Sequence, residues 1–288
     1  MPRLIVNADD FGLTNGVNRA MIELHQAGAL TSATLMARAA ATDEAIDLAR
    51  VTPSLGIGCH VVLVDGDPSL PTTAIPTLAN PRTGRLHPTL GAFLKRLWRG
   101  KILGKEIEAE ARAQIQFLQS RGVTLTHIDT HKHTHMFPQV LCPVLRAARS
   151  CGIYAIRNPF EPAWSIAATH GAPFLRRAQV RLLPLLASRF HRFVTEHGFV
   201  TTKGAIGILA TGTLDTRTIN SLLSAIPPIA SDAAYELVTH PGYNDSALAR
   251  ANTRLLDSRD TERTALAHIR NHPELDLINF SNLLIAGR

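Results

Sequence analysis

The stretch His127-Ile128-Asp129-Thr130-His131-Lys132-His133-Thr134-His135 sets four histidines and an aspartate within nine residues. It stands where an apolar run, residues 123–128, gives out and a new helix is expected from Pro138. A strand that ends in polar residues and feeds a helix is the repeating unit of a parallel βαβ fold. Imidazoles and carboxylates at this density are costly to bury and of little use in a solvated turn. A divalent metal and a proton-transfer site account for them economically. A chance cluster on a surface loop is the bland alternative, and two other places in the chain weigh against it.

The first lies near the start. Leu4-Ile5-Val6 is a continuous apolar run, as in a strand buried on both faces, and it ends in Asn7-Ala8-Asp9-Asp10-Phe11-Gly12. Adjacent carboxylates repel each other, and a metal relieves that repulsion and separates their pKa values. A pair of helix-capping aspartates is the structural alternative. Thr14 or Asn15 can cap the helix that follows, residues 17–27, and Gly28 stops it. The second place is His60, inside the apolar strand region 55–63. A lone histidine there is usually a satisfied core group; its coupling to the other clusters reverses that reading.

Further strands are expected at 34–36, 153–156, 205–209, 234–239 and 275–280, with helices at 42–50, 106–120, 215–224 and 261–271. The alternation predicts an α/β fold with a parallel sheet, and 288 residues suit a single large barrel. No linker divides the chain, so residues 1–288 read as one domain, with excursions at about 65–104 and 158–203. In such folds the side chains at the carboxyl ends of the strands converge on one face. Asp9, Asp10, His60, His131, Arg157 and His240 all stand at or just after expected strand ends.

Composition narrows the field. The apolar fraction of 45% and charged fraction of 18% are those of an ordinary globular protein with a sizeable core. No stretch has the length and purity of a transmembrane helix, and the chain enters a strand pattern at once, so no secretory signal is expected. Three scattered cysteines, Cys59, Cys142 and Cys151, fit a reducing cytoplasm better than a disulfide framework. The net charge of +7 attracts anionic partners. Nucleic acid is not expected among them, because no binding motif is present and 5% aromatics are too few for stacking platforms.

The charge is concentrated in two apolar stretches, 91–104 and 164–193. No acidic residue occurs between Asp67 and Glu106, or between Glu161 and Glu196. The second stretch interleaves Arg176, Arg177, Arg181, Arg189 and Arg192 with leucines and phenylalanines and is expected to kink at Pro184. It either meets an anionic membrane surface or lines a lipid cleft, or else it covers the core with its arginines in water. The expected location is therefore cytoplasmic, with peripheral contact to the inner face of the membrane as an option. Oligomeric state is open, a homodimer being the commonest symmetric assembly.

One aspartate with two histidines is a mixed oxygen and nitrogen ligand set that suits zinc, and also admits magnesium or manganese, while leaving positions for water and substrate. A second carboxylate beside the metal can take a proton from water, and a histidine from another strand can protonate a leaving group. Together they describe metal-assisted hydrolysis of an amide or ester. Neither a glycine-rich phosphate loop nor a Gly-x-Ser-x-Gly elbow is present.

Four motifs, Asn7-Ala8-Asp9-Asp10-Phe11-Gly12, Gly58-Cys59-His60, Thr126 to Pro138 and Thr239-His240-Pro241-Gly242, resemble those of the YdjC/ChbG-like carbohydrate deacetylases, in order and over nearly the whole chain. The resemblance implies a distorted (β/α) barrel of the glycoside hydrolase/deacetylase kind, one divalent metal ion and removal of N-acetyl groups from amino sugars. It implies Asp10, His60 and His131 as metal ligands, Asp9 as general base and His240 as general acid. Asp129, His133 and His135 would orient the ligands, and Arg157 would anchor Asp9 or the substrate. Residues 62–68, 156–162 and the basic segment after them are most similar to the hopanoid-biosynthesis branch (HpnK), which implies an N-acetylglucosaminyl hopanoid glycolipid as substrate. Diacetylchitobiose and other soluble chitooligosaccharides are the alternative. Asn158 departs from that branch, where an apolar residue is usual.

Overall fold

Strand β1 (Arg3–Phe11) is buried from Leu4 to Phe11, because other strands flank it on both sides. That is why its sequence is apolar without alternation. A computed structural model describes residues 1–286 apart from 173, 229–232 and 252. After β1 come α1 (Asn15–Gln26), β2 (Ser32–Leu35), α2 (Thr42–Val51), β3 (Gly56–Val61), α3 (Leu90–Trp98), α4 (Gly104–Ser120), β4 (His127–Thr130) and α5 (Pro138–Ser150). Then follow α6 (Ala163–Ala168), α7 (Phe174–Leu182), α8 (Ala187–Glu196), β5 (Ala205–Ile206), α9 (Thr216–Ser224) and β6 (Ala234–Thr239). The chain closes with α10 (Ser246–Arg250), α11 (Asp257–Leu266), β7 (Asp276–Ile278) and α12 (Phe280–Ala286). Short 3₁₀ turns occupy His131–Met136, Leu183–Leu186 and Ile269–Asn271.

Every strand pairing is parallel. The order is β4-β3-β2-β1-β6-β5, with β7 beside the start of β1. Single parallel bridges from Ile128 to Ile156 and from Ala155 to Val200 carry the curl on from β4. The product is a distorted α/β barrel. Its distortion lies where a full strand was expected at 153–156. That segment exchanges two hydrogen bonds with Ile128 and two with Val200, and Pro159 ends the ladder. Likewise, β5 stops at Ile206 because Gly207 turns the backbone through φ +86°.

Local signals explain several element ends. The Thr14 hydroxyl accepts from Val17 N–H and starts α1 two residues before the expected position. Asp215 caps α9 in the same way. Helix α11 begins at Asp257, four residues ahead of the expected start, and this matters for the site. The excursion after β3 is not loose. Buried Glu110 accepts from Ser69 and Leu70 N–H, and buried Glu106 accepts from Thr77 and Leu78 N–H, so two carboxylates of α4 pin it. In the second excursion the expected kink is the Leu183–Leu186 turn, with Pro184 inside it.

Candidate active site

Parallel pairing brings the carboxyl ends of β1, β3, β4 and β6 to one mouth, and four of the singled-out residue groups meet there. Asp9 and Asp10 come from β1, His60 from β3, His131 from the turn after β4, and His240 from the end of β6. The backbone is strained at this point. Asp10, Lys132 and His133 adopt left-handed φ values of +69°, +56° and +51°. Such values are uncommon for residues with a Cβ and cluster where the surroundings enforce them.

Asp10, His60 and His131 form a donor triangle. His60 Nε2 lies 3.2 Å from His131 Nδ1, and both lie 3.5 Å from Asp10 Oδ1. The Nδ1–H of His60 donates to Asp129 Oδ1 at 2.7 Å, which turns the Nε2 lone pair into the triangle. Two ring nitrogens and a carboxylate oxygen this close could share a proton or hold a cation between them. Donors about 2.0–2.2 Å from a tetrahedral ion stand about 3.3–3.6 Å apart, so the triangle fits one. Five buried carboxyl groups (Asp9, Asp10, Asp129, Glu236 and Glu262) and two buried guanidiniums, Arg157 and Arg259, lie in and around it. A second possible donor group, Asp9, His60 and Asp129, is a poorer choice, because Arg157 already occupies both of its carboxylates.

Arg157 is fully buried and holds three acids at once. Its Nη1 and Nη2 donate to the two oxygens of Asp9 at 2.7 and 2.6 Å. Its Nε donates to Glu236 Oε1 at 2.7 Å, and Nη1 also meets Asp129. Asn7 Nδ2 and the Thr34 hydroxyl add hydrogen bonds to Asp9 Oδ1. Burial alone would raise the Asp9 pKa, but the Arg157 charge and its paired hydrogen bonds hold it well below the usual carboxylate range. Asp10 is likewise depressed: burial opposes, and Arg259, at 2.5 Å, prevails with help from His131. Glu236 goes the other way, up to about 7, because burial outweighs its share of Arg157.

His240 faces Asp9 from across the mouth, with Nε2 3.8 Å from Asp9 Oδ2. Its backbone N–H donates to Glu262 Oε2 at 2.6 Å. Burial lowers its pKa to about 4 against the pull of Asp9 and Asp10.

Of the three residues expected to orient the ligands, Asp129 is the one that touches a member of the triangle, His60. The left-handed pair Lys132 and His133 turns the chain away, so His135 bonds Thr130 Oγ1 and the Arg157 carbonyl instead and packs near Phe190. His133 contacts the His135 ring, and its Nδ1 is buried without a partner. Thr34, Glu236, Arg259 and Glu262 were not anticipated. Glu236 carried a signal, being a carboxylate in an otherwise apolar strand. Arg259 and Glu262 carried none, since Asp257-Ser258-Arg259-Asp260-Thr261-Glu262 looks like any solvated helix face. Arg176 and Arg177 also differ from both readings of their segment. They bond the backbone carbonyls of Thr211, Ile208, Ile166 and Thr169, so they staple the excursion to the barrel.

Fold and cluster together define an α/β barrel whose mouth presents a cation-sized donor triangle beside an ionised carboxylate and a histidine. The chain belongs to the YdjC-like protein family, whose model matches residues 3–275. A carbohydrate deacetylase of Brevibacillus brevis is 29% identical over 285 residues, which cover 98% of this chain and 99% of that one. A carbohydrate deacetylase of Geobacillus stearothermophilus is 33% identical over 254 residues, 88% of this chain and 85% of that one. The structure of a proposed cellobiose-phosphate cleavage protein from Enterococcus faecalis matches with a TM-score of 0.75 over 98% of both chains at 24% identity, a likeness of fold.

Proposed function

We propose that this protein is a metal-dependent N-deacetylase of an amino-sugar substrate, carried by the Asp10, His60 and His131 triangle beside the Arg157-clamped Asp9. The named deacetylase relatives support the same reading. A divalent ion held by the triangle, zinc before magnesium or manganese, would polarise the acetyl carbonyl and acidify a water molecule. Asp9 takes the proton of the attacking water. Arg157 keeps that carboxylate ionised and aimed at the cost of basicity, so it accepts only from a strongly acidified donor. His240, on the other side, delivers a proton to the departing amine nitrogen.

The ion must displace a proton. Burial alone would lower the His60 pKa, but Asp129, Asp9 and Asp10 raise it to about 9 in the ion-free protein. At pH 7 His60 is therefore protonated, and loading releases about one proton, with affinity rising about tenfold per pH unit until pH 9. Calorimetry in buffers of different ionisation enthalpy measures this count, and a count of zero would mean that His60 is already neutral before the ion binds.

For the substrate, we propose a lipid-linked N-acetylglucosamine of the hopanoid glycolipid kind. The supporting observation is an exposed apolar tip. Leu182 and Leu185 are 63% and 80% exposed, with Arg181, Arg189 and Arg192 exposed around them. Phe190 of α8 packs near His135, and Trp98, 64% exposed, lies edge-on to Phe137, so both cationic apolar stretches pack against the turn that follows β4. Beside the second stretch is a cleft of about 450 Å³, with Asn158, Phe160, Pro184, Arg181, His191 and Lys203 in its walls. No helix among the described residues is long and apolar enough to cross a membrane, so contact would be peripheral. Leu182→Ser with Leu185→Ser should weaken binding to phosphatidylglycerol vesicles by about tenfold or more, while sparing turnover of a short soluble substrate. Unchanged vesicle binding would remove the membrane role from this tip.

The decisive experiment is acetate release from an N-acetylglucosaminyl lipid and from diacetylchitobiose, side by side, with and without chelator. Chelator-sensitive release from the lipid alone supports the glycolipid reading. Release from the sugar alone moves the assignment to soluble chitooligosaccharides. Release from neither, with metal bound, overturns the deacetylase reading.

A further inference from the structure

One helix braces two parts of the mouth. Arg259 and Glu262 are three residues apart on α11 and therefore share a face. Arg259 reaches Asp10, and Glu262 takes the backbone N–H of His240. The Glu262 carboxylate then faces the ring it anchors, with Oε2 4.0 Å from His240 Nδ1. Nδ1 has no hydrogen-bond partner, and neither has Glu262 Oε1, though both atoms are buried. Buried polar atoms are rarely left so, and His240 Nδ1 gains a partner if the Glu262 carboxyl closes on it by about 1 Å. The charged groups acting on His240 are Asp9, Asp10, Arg157 and Arg259; those acting on Glu262 are Arg259 and Asp9.

His240 needs such a partner. Burial outweighs the pull of Asp9 and Asp10, so its ring is neutral at neutral pH, yet the departing amine requires a proton from it. We infer that Glu262 is the positioning residue that supplies this proton through His240. This rests on the deacetylase reading above. In the step, a protonated Glu262 closes on His240 and gives its hydrogen to Nδ1. Nε2 gives its own hydrogen to the amine nitrogen as the C–N bond breaks with its electron pair going to nitrogen. Glu262 is left as a carboxylate. The water proton taken by Asp9 and the proton lost by Glu262 balance once solvent equilibrates the site, so the net reaction is amide plus water to acetic acid plus amine. The raised Glu262 pKa of about 7, set by burial, keeps this carboxyl able to hold a proton near neutrality.

The test compares two acetyl donors on the wild type, Glu262→Gln and Glu262→Asp. The amide of an N-acetyl amino sugar needs a protonated leaving group, and p-nitrophenyl acetate does not. Glutamine keeps an oxygen for the His240 N–H, so the loop stays anchored. Glu262→Gln should lower kcat on the amide by about 10- to 100-fold, hold ester hydrolysis within about twofold, and leave metal content unchanged. Glu262→Asp should recover part of the amide rate. The wild type is expected to lose amide activity at high pH, and that fall should flatten in Glu262→Gln. Equal losses on both donors, or an unchanged amide rate, would overturn the relay. Should Glu262→Gln not fold, the amide-to-ester ratio of Glu262→Asp decides: a wild-type ratio refutes the inference. A wild type that cleaves the ester and releases no acetate from the amide would instead sink the deacetylase reading itself.

Discussion

Asp9→Asn is expected to keep the metal and to slow deacetylation by about 10²–10⁴-fold. The amide retains an oxygen for Arg157 and nearly the same volume, so the clamp survives in part, but it cannot take a proton from water. Metal content by elemental analysis and kcat on the same sample separate the two effects. His131→Ala is the counterpart: it removes a corner of the donor triangle, and metal and activity should disappear together. If Asp9→Asn also strips the ion, the division of labour between Asp9 and Asp10 is wrong.

The largest stability effect is expected at Arg157. Arg157→Met leaves Asp9, Asp129 and Glu236 buried around an apolar chain, and removing one partner of a buried ion pair costs about 3–5 kcal/mol. For a protein of this size the melting temperature should fall by about 10 °C or more. The pH dependence has a definite sign. In the wild type the depressed Asp9 pKa adds stability that is present above the unfolded carboxylate pKa and lost as pH falls through the folded one. In the variant the depressing charge is gone and burial raises the pKa. The folded state then prefers the protonated acid, so the deficit grows from about pH 4 to neutrality and shrinks on acidification. A deficit independent of pH would mean that Arg157 acts by packing rather than by charge.

Much of the barrel and mouth could be read from strand ends, because a parallel sheet forces polar residues to gather there. Asp9-Asp10 and His127 to His135 were visible because polar clusters interrupt apolar runs. What could not be read was the support behind them. Arg259 and Glu262 sit on a helix whose charges look solvated, and only the close approach of α11 to the ends of β1 and β6 gives them partners. Arg176 and Arg177 were unreadable for the opposite reason. An arginine that bonds carbonyls has the same sequence signature as one in water or at a membrane. Segment 153–156 was apolar enough for a full strand, but two-residue contacts on each side are a property of its neighbours.

The placement of β1 also sets an order of assembly during synthesis. Its aspartates are synthesised before the groups that neutralise them, Arg157 and, later still, Arg259. Its neighbour β6 lies at Ala234–Thr239 and β7 at Asp276–Ile278. Until those residues are made, the first strand carries two carboxylates that it cannot afford to bury. The mouth is therefore among the last parts of the molecule to form, and a chain arrested before α11 should be a protease-sensitive intermediate without a cation site.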